Sequence, residues 1–262
     1  MFKKFVIIGT GRLAKHWSEF LASKDKEIVQ IYGRNLDEAK VLAARIGSSC
    51  TNQMELISLN ADVYFLCVKD DSIEEVSESL RKFLSADKLI LHFSGSLPYE
   101  QINSYFINRG VMWPLQSFNE AKVIHWEEIP FFIDANENIM KELKSFASEI
   151  GLNYIEADYT NRKMIHLAAV VANNFSNFNL IIAEDILRKI DIPFEVLKPI
   201  MTSSIDKIFV NGSESSQTGP ARRDDHEIVQ AQLNLLEREF PEYKAYYKLM
   251  SDLISTHFNH KK

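Results

Sequence analysis

Six residues near the start of the chain, Gly9-Thr10-Gly11-Arg12-Leu13-Ala14, have the types and spacing needed to hold a pyrophosphate. In a G-x-G-x-x-G/A turn the first glycine makes the tight turn and the second lets a phosphate approach the backbone. The third position stays small so that helix and strand can pack, and Ala14 meets that requirement. The flanks are those the motif needs. Phe5-Val6-Ile7-Ile8 is a short apolar run, and Leu13, Trp17 and Leu21 follow at i, i+4 and i+8, the spacing of a helix with one buried face. Such a helix start offers free N–H groups and a partial positive charge to an anion. Gly9, Thr10, Gly11, Arg12, Leu13 and Ala14 are therefore candidate nucleotide contacts; a glycine turn without a ligand is the plain alternative.

A second set of chemistry-bearing residues shares one helix, Asn161 to Asn177. Lys163, His166, Asn173, Asn174 and Asn177 fall close to one face at helical spacing, and the remainder is mostly small and apolar. A helix apolar nearly all round is usually buried, and buried polar groups need partners. His166 and the asparagines are thus expected to be buried, and the stripe to face a nicotinamide and a small polar substrate in an interdomain cleft. Lys163 or His166 would polarise or protonate a carbonyl or imine as hydride arrives, and Asn173 or Asn174 would orient it. The alternative is a core helix whose polar groups bind backbone or water.

The choice of dinucleotide is written at the end of the second strand. NAD-preferring folds carry an acid about 20 residues past the glycines for the ribose 2′-hydroxyl. Here the sequence reads Tyr32-Gly33-Arg34-Asn35, with no acid at the tip. Arg34 offers a planar fork suited to a 2′-phosphate, so NADP is expected over NAD. Asp37 lies in the first turn of the next helix, where Asn35 and Glu38 in capping-box spacing account for it. Val68 and Ser94 complete the cofactor candidates, because ligands in such sheets bind beyond the carboxyl ends of strands. Ser96, and Arg222 or Arg223 in the Gly219–His226 segment, are supplementary donors whose bland readings are helix caps and solvated arginines.

The elements that must position these groups alternate in the first half of the chain. Strands are expected at Glu27–Tyr32, Val63–Val68, Leu89–Phe93, Val111–Trp113 and Phe131–Ile133. Helices are expected over Leu36–Ile46, stopping at Gly47, after Asp71 and Glu74 in capping-box spacing, and over Met140–Ile150. Strands alternating with helices imply βαβ units and a parallel sheet. From Tyr159 the periodicity is helical, over 161–189, 193–210 and 225–257, with Pro193 suited to a first turn. The expected class is α/β: a Rossmann-type doubly wound parallel sheet over 1–158, followed by an all-α C-terminal domain over 159–262.

Composition narrows the function classes. The 262 residues are 46% hydrophobic and 25% charged, enough for a core without staples, so Cys50 and Cys67 need no structural role. A net charge of −6 without a Lys/Arg block argues against nucleic-acid binding. No run of unbroken apolar residues approaches the roughly 20 of a membrane span, and a cytoplasmic protein is expected. Metal and phosphoryl-transfer motifs are missing, so no metal site is expected.

With those residues in view, the chain resembles a family of NADP oxidoreductases that pair a Rossmann-like domain with a helical domain of unknown function. Its wider relatives are pyrroline-5-carboxylate reductase and the deazaflavin-dependent NADP reductases. The resemblance rests on Gly9 to Ala14, Gly33-Arg34-Asn35, Ala61-Asp62-Val63 through Ile73, and His92-Phe93-Ser94-Gly95-Ser96. It continues in Trp113 to Phe118, His166 to Val170, and Thr218-Gly219-Pro220 with Arg223-Asp224. It implies a homodimer built through the helical domain, and a lysine and an asparagine on the first helix after the nucleotide domain. Lys163 with Asn173 or Asn174 is similar, but the longer interval here shifts the proton-donor role toward His166. Many relatives carry histidine where Trp113 stands, and an indole does no proton chemistry.

The expected function is hydride transfer between NADP and a small polar carbonyl, imine or hydroxyl compound. The rivals are a non-catalytic NADP-binding regulatory or sensor module, a scaffold with a vestigial glycine turn, and a reductase using deazaflavin as second substrate.

Overall fold

Phe5 and Ile7 of β1 (Lys4–Ile8) enter one apolar layer with Trp17, Phe65 and Phe131. Val6 and Ile8 enter another with Tyr64, Leu66, Ile90 and Phe106. A strand buried on both faces requires helices on both, the condition under which parallel sheets occur. The computed structural model describes residues 2–118 and 124–259, and the chain divides into two units, Met1–Val170 and Val171–Lys262.

The first unit holds β2 (Glu27–Tyr32), β3 (Ser49–Thr51), β4 (Val63–Leu66), β5 (Leu89–His92), β6 (Asn108–Pro114), β7 (Pro130–Ala135) and β8 (Asn153–Glu156). Their order is β3-β2-β1-β4-β5-β6-β7-β8, with every pairing parallel except β6 with β7. The order reverses between β1 and β4, the place where open sheets of this kind hold ligands. The helices are α1 (Arg12–Ser23), α2 (Leu36–Ile46), α3 (Ile73–Leu80), α4 (Glu137–Glu149) and α5 (Tyr159–Ala169). This is the Rossmann-type α/β arrangement the sequence implies.

Three local expectations are corrected. The strands β3 and β8 are absent from the sequence reading, because Ser-Cys-Thr and Asn-Tyr-Ile-Glu contain no apolar run. The capping box at Asp71 and Glu74 does not form. Asp70–Ser72 make a 3₁₀ turn and Ser72, at the start of α3, makes no side-chain cap bond. The Asp71 carboxylate instead accepts the Ser72 hydroxyl at 3.2 Å. Gly47, by contrast, ends α2 as expected, in the left-handed conformation with φ 68°.

The second unit contains α6 (Ser176–Arg188), α7 (Lys198–Asn211), α8 (Ser213–Ser216), α9 (His226–Glu239) and α10 (Pro241–Asn259). The single helix expected over 225–257 is therefore two. Phe240 leaves the helical region (φ −149°, ψ 61°) just before Pro241, whose ring disfavours a helical predecessor. Pro193 precedes a 3₁₀ turn, Phe194–Leu197, rather than entering a first α-turn. Among the described residues of this unit only Leu233, Leu236 and Ser251 are buried.

Tyr159–Arg188 is a continuous helical stretch of 30 residues containing an 18-residue window of mean hydropathy 1.2, long and apolar enough by length and composition to cross a membrane. Polar residues interrupt it every few positions, so it holds no unbroken apolar run.

Candidate active site

The glycine loop is shaped by what surrounds each glycine. Gly9 has φ +126°, and a Cβ there would stand 2.1 Å from the carbonyl oxygen of Cys67, so no other residue fits. Its N–H donates to the Tyr32 carbonyl at 2.8 Å, tying β1 to β2. Gly11 is different: it is exposed, it precedes α1 with ordinary φ −69°, and a Cβ there would meet nothing within 4 Å. Among the described residues no side chain caps α1 and no acid occupies its first turn, so its leading N–H groups suit an anion. Ala14 is fully buried between helix and sheet. Leu13 is half-buried, and Arg12 donates to the Phe118 carbonyl at 3.2 Å.

Around this loop lie the other cofactor candidates. Thr10 donates its hydroxyl to Glu38 at 2.6 Å. Arg34 is exposed at the tip of β2, beside Asn35, whose side chain caps α2. Val68 is half-buried just past β4. Cys67 beneath it is buried, and burial pushes its thiol well above the ordinary range, so it is a protonated packing residue.

A second cluster stands at the carboxyl ends of β4 and β5. The Asp70 carboxylate accepts the Ser94 hydroxyl at 2.6 Å and the Ser96 hydroxyl at 2.7 Å. The Ser94 oxygen also accepts the N–H groups of Ser96 and Leu97, which fixes the loop. His92 lies underneath, fully buried. Its Nδ1 accepts the Ser94 N–H and its Nε2 sits 3.1 Å from the Pro98 carbonyl, so the Nε2–H tautomer fits. Burial, the main cause, holds its pKa down to about 4 from 6.5, with a smaller contribution from the Arg162 charge.

That depression makes stability depend on pH. The unfolded chain takes the proton first, so the contribution of neutral His92 is complete above about pH 6.5 and is lost as pH falls toward about 4. Denaturant titrations are expected to lose about 3 kcal/mol over that window. A His92→Asn variant should show a flatter pH profile; an unchanged profile would contradict a buried neutral imidazole.

Gly95 brings α5 into the same neighbourhood. A Cβ on Gly95 would lie 2.4 Å from the Trp113 ring, so the indole packs directly on this backbone. The indole also meets His166, with centroids 5.6 Å apart and planes at 73°. The helix is anchored one turn earlier by Arg162, which is fully buried. Its guanidinium binds Asp134, the Ala157 carbonyl at 3.0 Å and the Leu97 carbonyl at 2.8 Å. His166 is half-buried, and Lys163 is exposed with its ammonium 4.6 Å from the centre of the Tyr159 ring.

The structure thus gathers Asp70, Ser94, Ser96, Trp113 and His166, and gathers Thr10 with Glu38. Asn173 and Asn174 are exposed, 3.4 Å from one another, within a π-helical segment, Val170–Phe175, in the second unit. Such segments frequently occur at functional sites. A count of 3.6 residues per turn does not hold across it. The expected burial of His166 and the asparagines is also corrected, since His166 is half-buried and Asn173, Asn174 and Asn177 are exposed in the chain. Apolar composition shows that a helix seeks cover, not that its own chain supplies it. Asp70, Glu38, Arg162 and Trp113 join the site residues only in the fold. Asp70 was within reach of the rule that ligands sit beyond strand carboxyl ends; the other three depend on contacts distant in sequence.

Residues 4–94 match the family described as "NADP oxidoreductase coenzyme F420-dependent", and residues 129–254 match "Domain of unknown function (DUF2520)". No curated protein matches the chain. Among solved structures it is similar to a Bacteroides fragilis protein provisionally assigned as an NADP oxidoreductase, at 30% identity and TM-score 0.87, over 97% of this chain and 98% of that one. It is also similar to a pyrroline-5-carboxylate reductase from Coxiella burnetii, at 17% identity and TM-score 0.60 over 96% and 98% of the two chains. An imine reductase from Myxococcus stipitatus in complex with NADP+ aligns at 12% identity and TM-score 0.71 over 98% and 93%. The last two share the fold. Identity and coverage with the first, together with the two family matches, show that the chain belongs to the family of NADP oxidoreductases joining a Rossmann-like domain to a C-terminal domain of unknown function.

Proposed function

We propose that the chain binds NADPH at the glycine loop and transfers its hydride to a small polar C=N or C=O compound, or runs the reverse reaction from the amine or alcohol. The observation that carries this reading is the group at the carboxyl ends of β4 and β5. An imidazole is held against Trp113, and Trp113 lies on the loop that presents Ser94, Ser96 and Asp70. Names of the relatives favour imines as the first substrates to test.

Arg34 supports the phosphorylated nucleotide, as a planar cation at the tip of β2. When bound, the nicotinamide supplies and accepts hydride. The protein's share is to orient the acceptor and to give or take one proton. His166 is the preferred donor because it is half-buried and fixed on two sides of its neighbourhood, by Trp113 and by the Arg162 anchor. Lys163, exposed over Tyr159, is the second choice, and Asn173 and Asn174 are assigned to substrate orientation. In NADPH oxidation assays with cyclic imines and keto acids, His166→Asn should lower kcat about a hundredfold while leaving NADPH affinity unchanged. An unchanged kcat would remove His166 from the chemistry.

We also propose a homodimer through the helical part of the chain. In the second unit, Phe178, Ile181, Ile200 and Ile205 are exposed, and Phe209 and Val210 are 87% and 81% exposed. A helical unit with two buried leucines cannot be stable on its own core, so a second copy covering these residues is the economical solution. A monomeric mass by sedimentation at micromolar concentration would contradict it.

A further inference from the structure

The carboxylate of the α2 capping box reaches beyond its own helix. In the reciprocal form of that motif the glutamate returns to the backbone N–H of the capping residue. Here the Asn35 Oδ1 accepts the N–H groups of Asp37 and Glu38, and the Asn35 amide donates to Glu38 Oε1 at 3.3 Å. The other oxygen, Oε2, accepts the Thr10 hydroxyl at 2.6 Å, 28 residues away in the glycine loop. The seam is tight. A Cβ on Gly33 would stand 2.5 Å from Thr10 Cγ2 and 3.3 Å from Ala39 Cβ. Glycine loop, β2 tip and first turn of α2 therefore close around one carboxylate.

Open sheets of this kind place the adenosine ribose between the glycine loop and the end of the second strand. A carboxylate there accepts a 2′-hydroxyl and repels a 2′-phosphate, while Arg34 attracts the phosphate. A ribose bound between the glycine loop and the β2 tip would have Glu38 on the loop side and Arg34 at the tip, and the sequence rule that assigns NADP from Arg34 counts only one of these charges.

We propose that Glu38 is a specificity-determining residue that offsets Arg34, so that the protein takes NADH nearly as well as NADPH. This rests on the dinucleotide reading above. The carboxylate is held in place by Asn35 and Thr10, and it penalises the 2′-phosphate at the same ribose that Arg34 recruits.

The test is a nicotinamide-fluorescence titration with NADPH and with NADH of wild type, Glu38→Gln, Arg34→Ala and Thr10→Val. Wild type is expected to bind both with affinities within a few-fold. Glu38→Gln should raise selectivity for NADPH about tenfold, mainly by tightening NADPH, and Arg34→Ala should lower it by a similar factor. Thr10→Val replaces the hydroxyl with a methyl and removes one of the two bonds that hold the carboxylate, so it should move the ratio in the same direction as Glu38→Gln and by less. An unchanged ratio in Glu38→Gln would overturn the proposal, as would a Thr10→Val variant that moves the ratio the opposite way. A wild type that binds neither nucleotide would instead sink the dinucleotide reading, and the proposal with it.

Discussion

Gly11→Val is expected to weaken NADPH binding at least about a hundredfold while lowering the melting temperature by no more than about 3 °C. The two effects separate because Gly11 has no structural need to be glycine. Its φ of −69° suits any L-residue, and a Cβ meets nothing within 4 Å. The stability cost is confined to a poorer residue before α1, up to about 1 kcal/mol. The side chain would, however, project where a pyrophosphate must approach the helix start. Gly9→Ala is the contrasting variant. At φ +126°, with the Cys67 carbonyl 2.1 Å from the new methyl, it is expected to lose folded protein rather than ligand. Calorimetry beside fluorescence titration distinguishes the two, and full NADPH affinity in Gly11→Val would place the nucleotide elsewhere.

Arg162→Ala is expected to destabilise the first unit by about 3–5 kcal/mol, a fall in melting temperature on the order of 10 °C. The guanidinium is wholly buried and binds one carboxylate and two carbonyls from three separate segments. Truncation leaves Asp134 without its cation and the Leu97 and Ala157 carbonyls without a donor, which is why losing one partner costs more than the pair itself contributes. The double variant Arg162→Met with Asp134→Leu should recover much of the loss, because no uncompensated charge remains. Because His166 lies one turn beyond Arg162, kcat should fall in Arg162→Ala even at temperatures where the protein stays folded. A loss below about 1 kcal/mol by denaturant titration would show that the pair is incidental.

Legibility in the sequence followed the range of the interactions. The glycine loop was readable because its three small residues sit at fixed spacing between an apolar run and a helical stripe, although the contact that requires glycine at position 9, the Cys67 carbonyl, is distant in sequence. Central strands were readable because burial on both faces writes an unbroken apolar run, as in Val63–Leu66 and Leu89–His92. Edge strands such as Ser49–Thr51 carry no such run. The capping-box spacing of Asn35 and Glu38 was legible, but its carboxylate answers to Thr10, a contact that spacing along α2 cannot report. The same holds for Arg162, which looks like a polar interruption of an apolar helix until Asp134 and Leu97 are brought beside it. The stripe of Lys163, His166, Asn173 and Asn174 was legible as residue types. Its burial was not, because cover for an apolar helix can come from outside the chain.

The central claim, that bound NADPH is a hydride donor here, is tested most directly by isotope transfer. The protein would be incubated with NADPH deuterated at C4 of the nicotinamide and a panel of cyclic imines and keto acids, with products read by mass spectrometry. The expected result is a reduced product carrying deuterium at the former C=N or C=O carbon, formed far more slowly by His166→Asn. Tight NADPH binding with all deuterium retained on the nucleotide across the panel would contradict it, and leave a nucleotide-binding module in place of an enzyme.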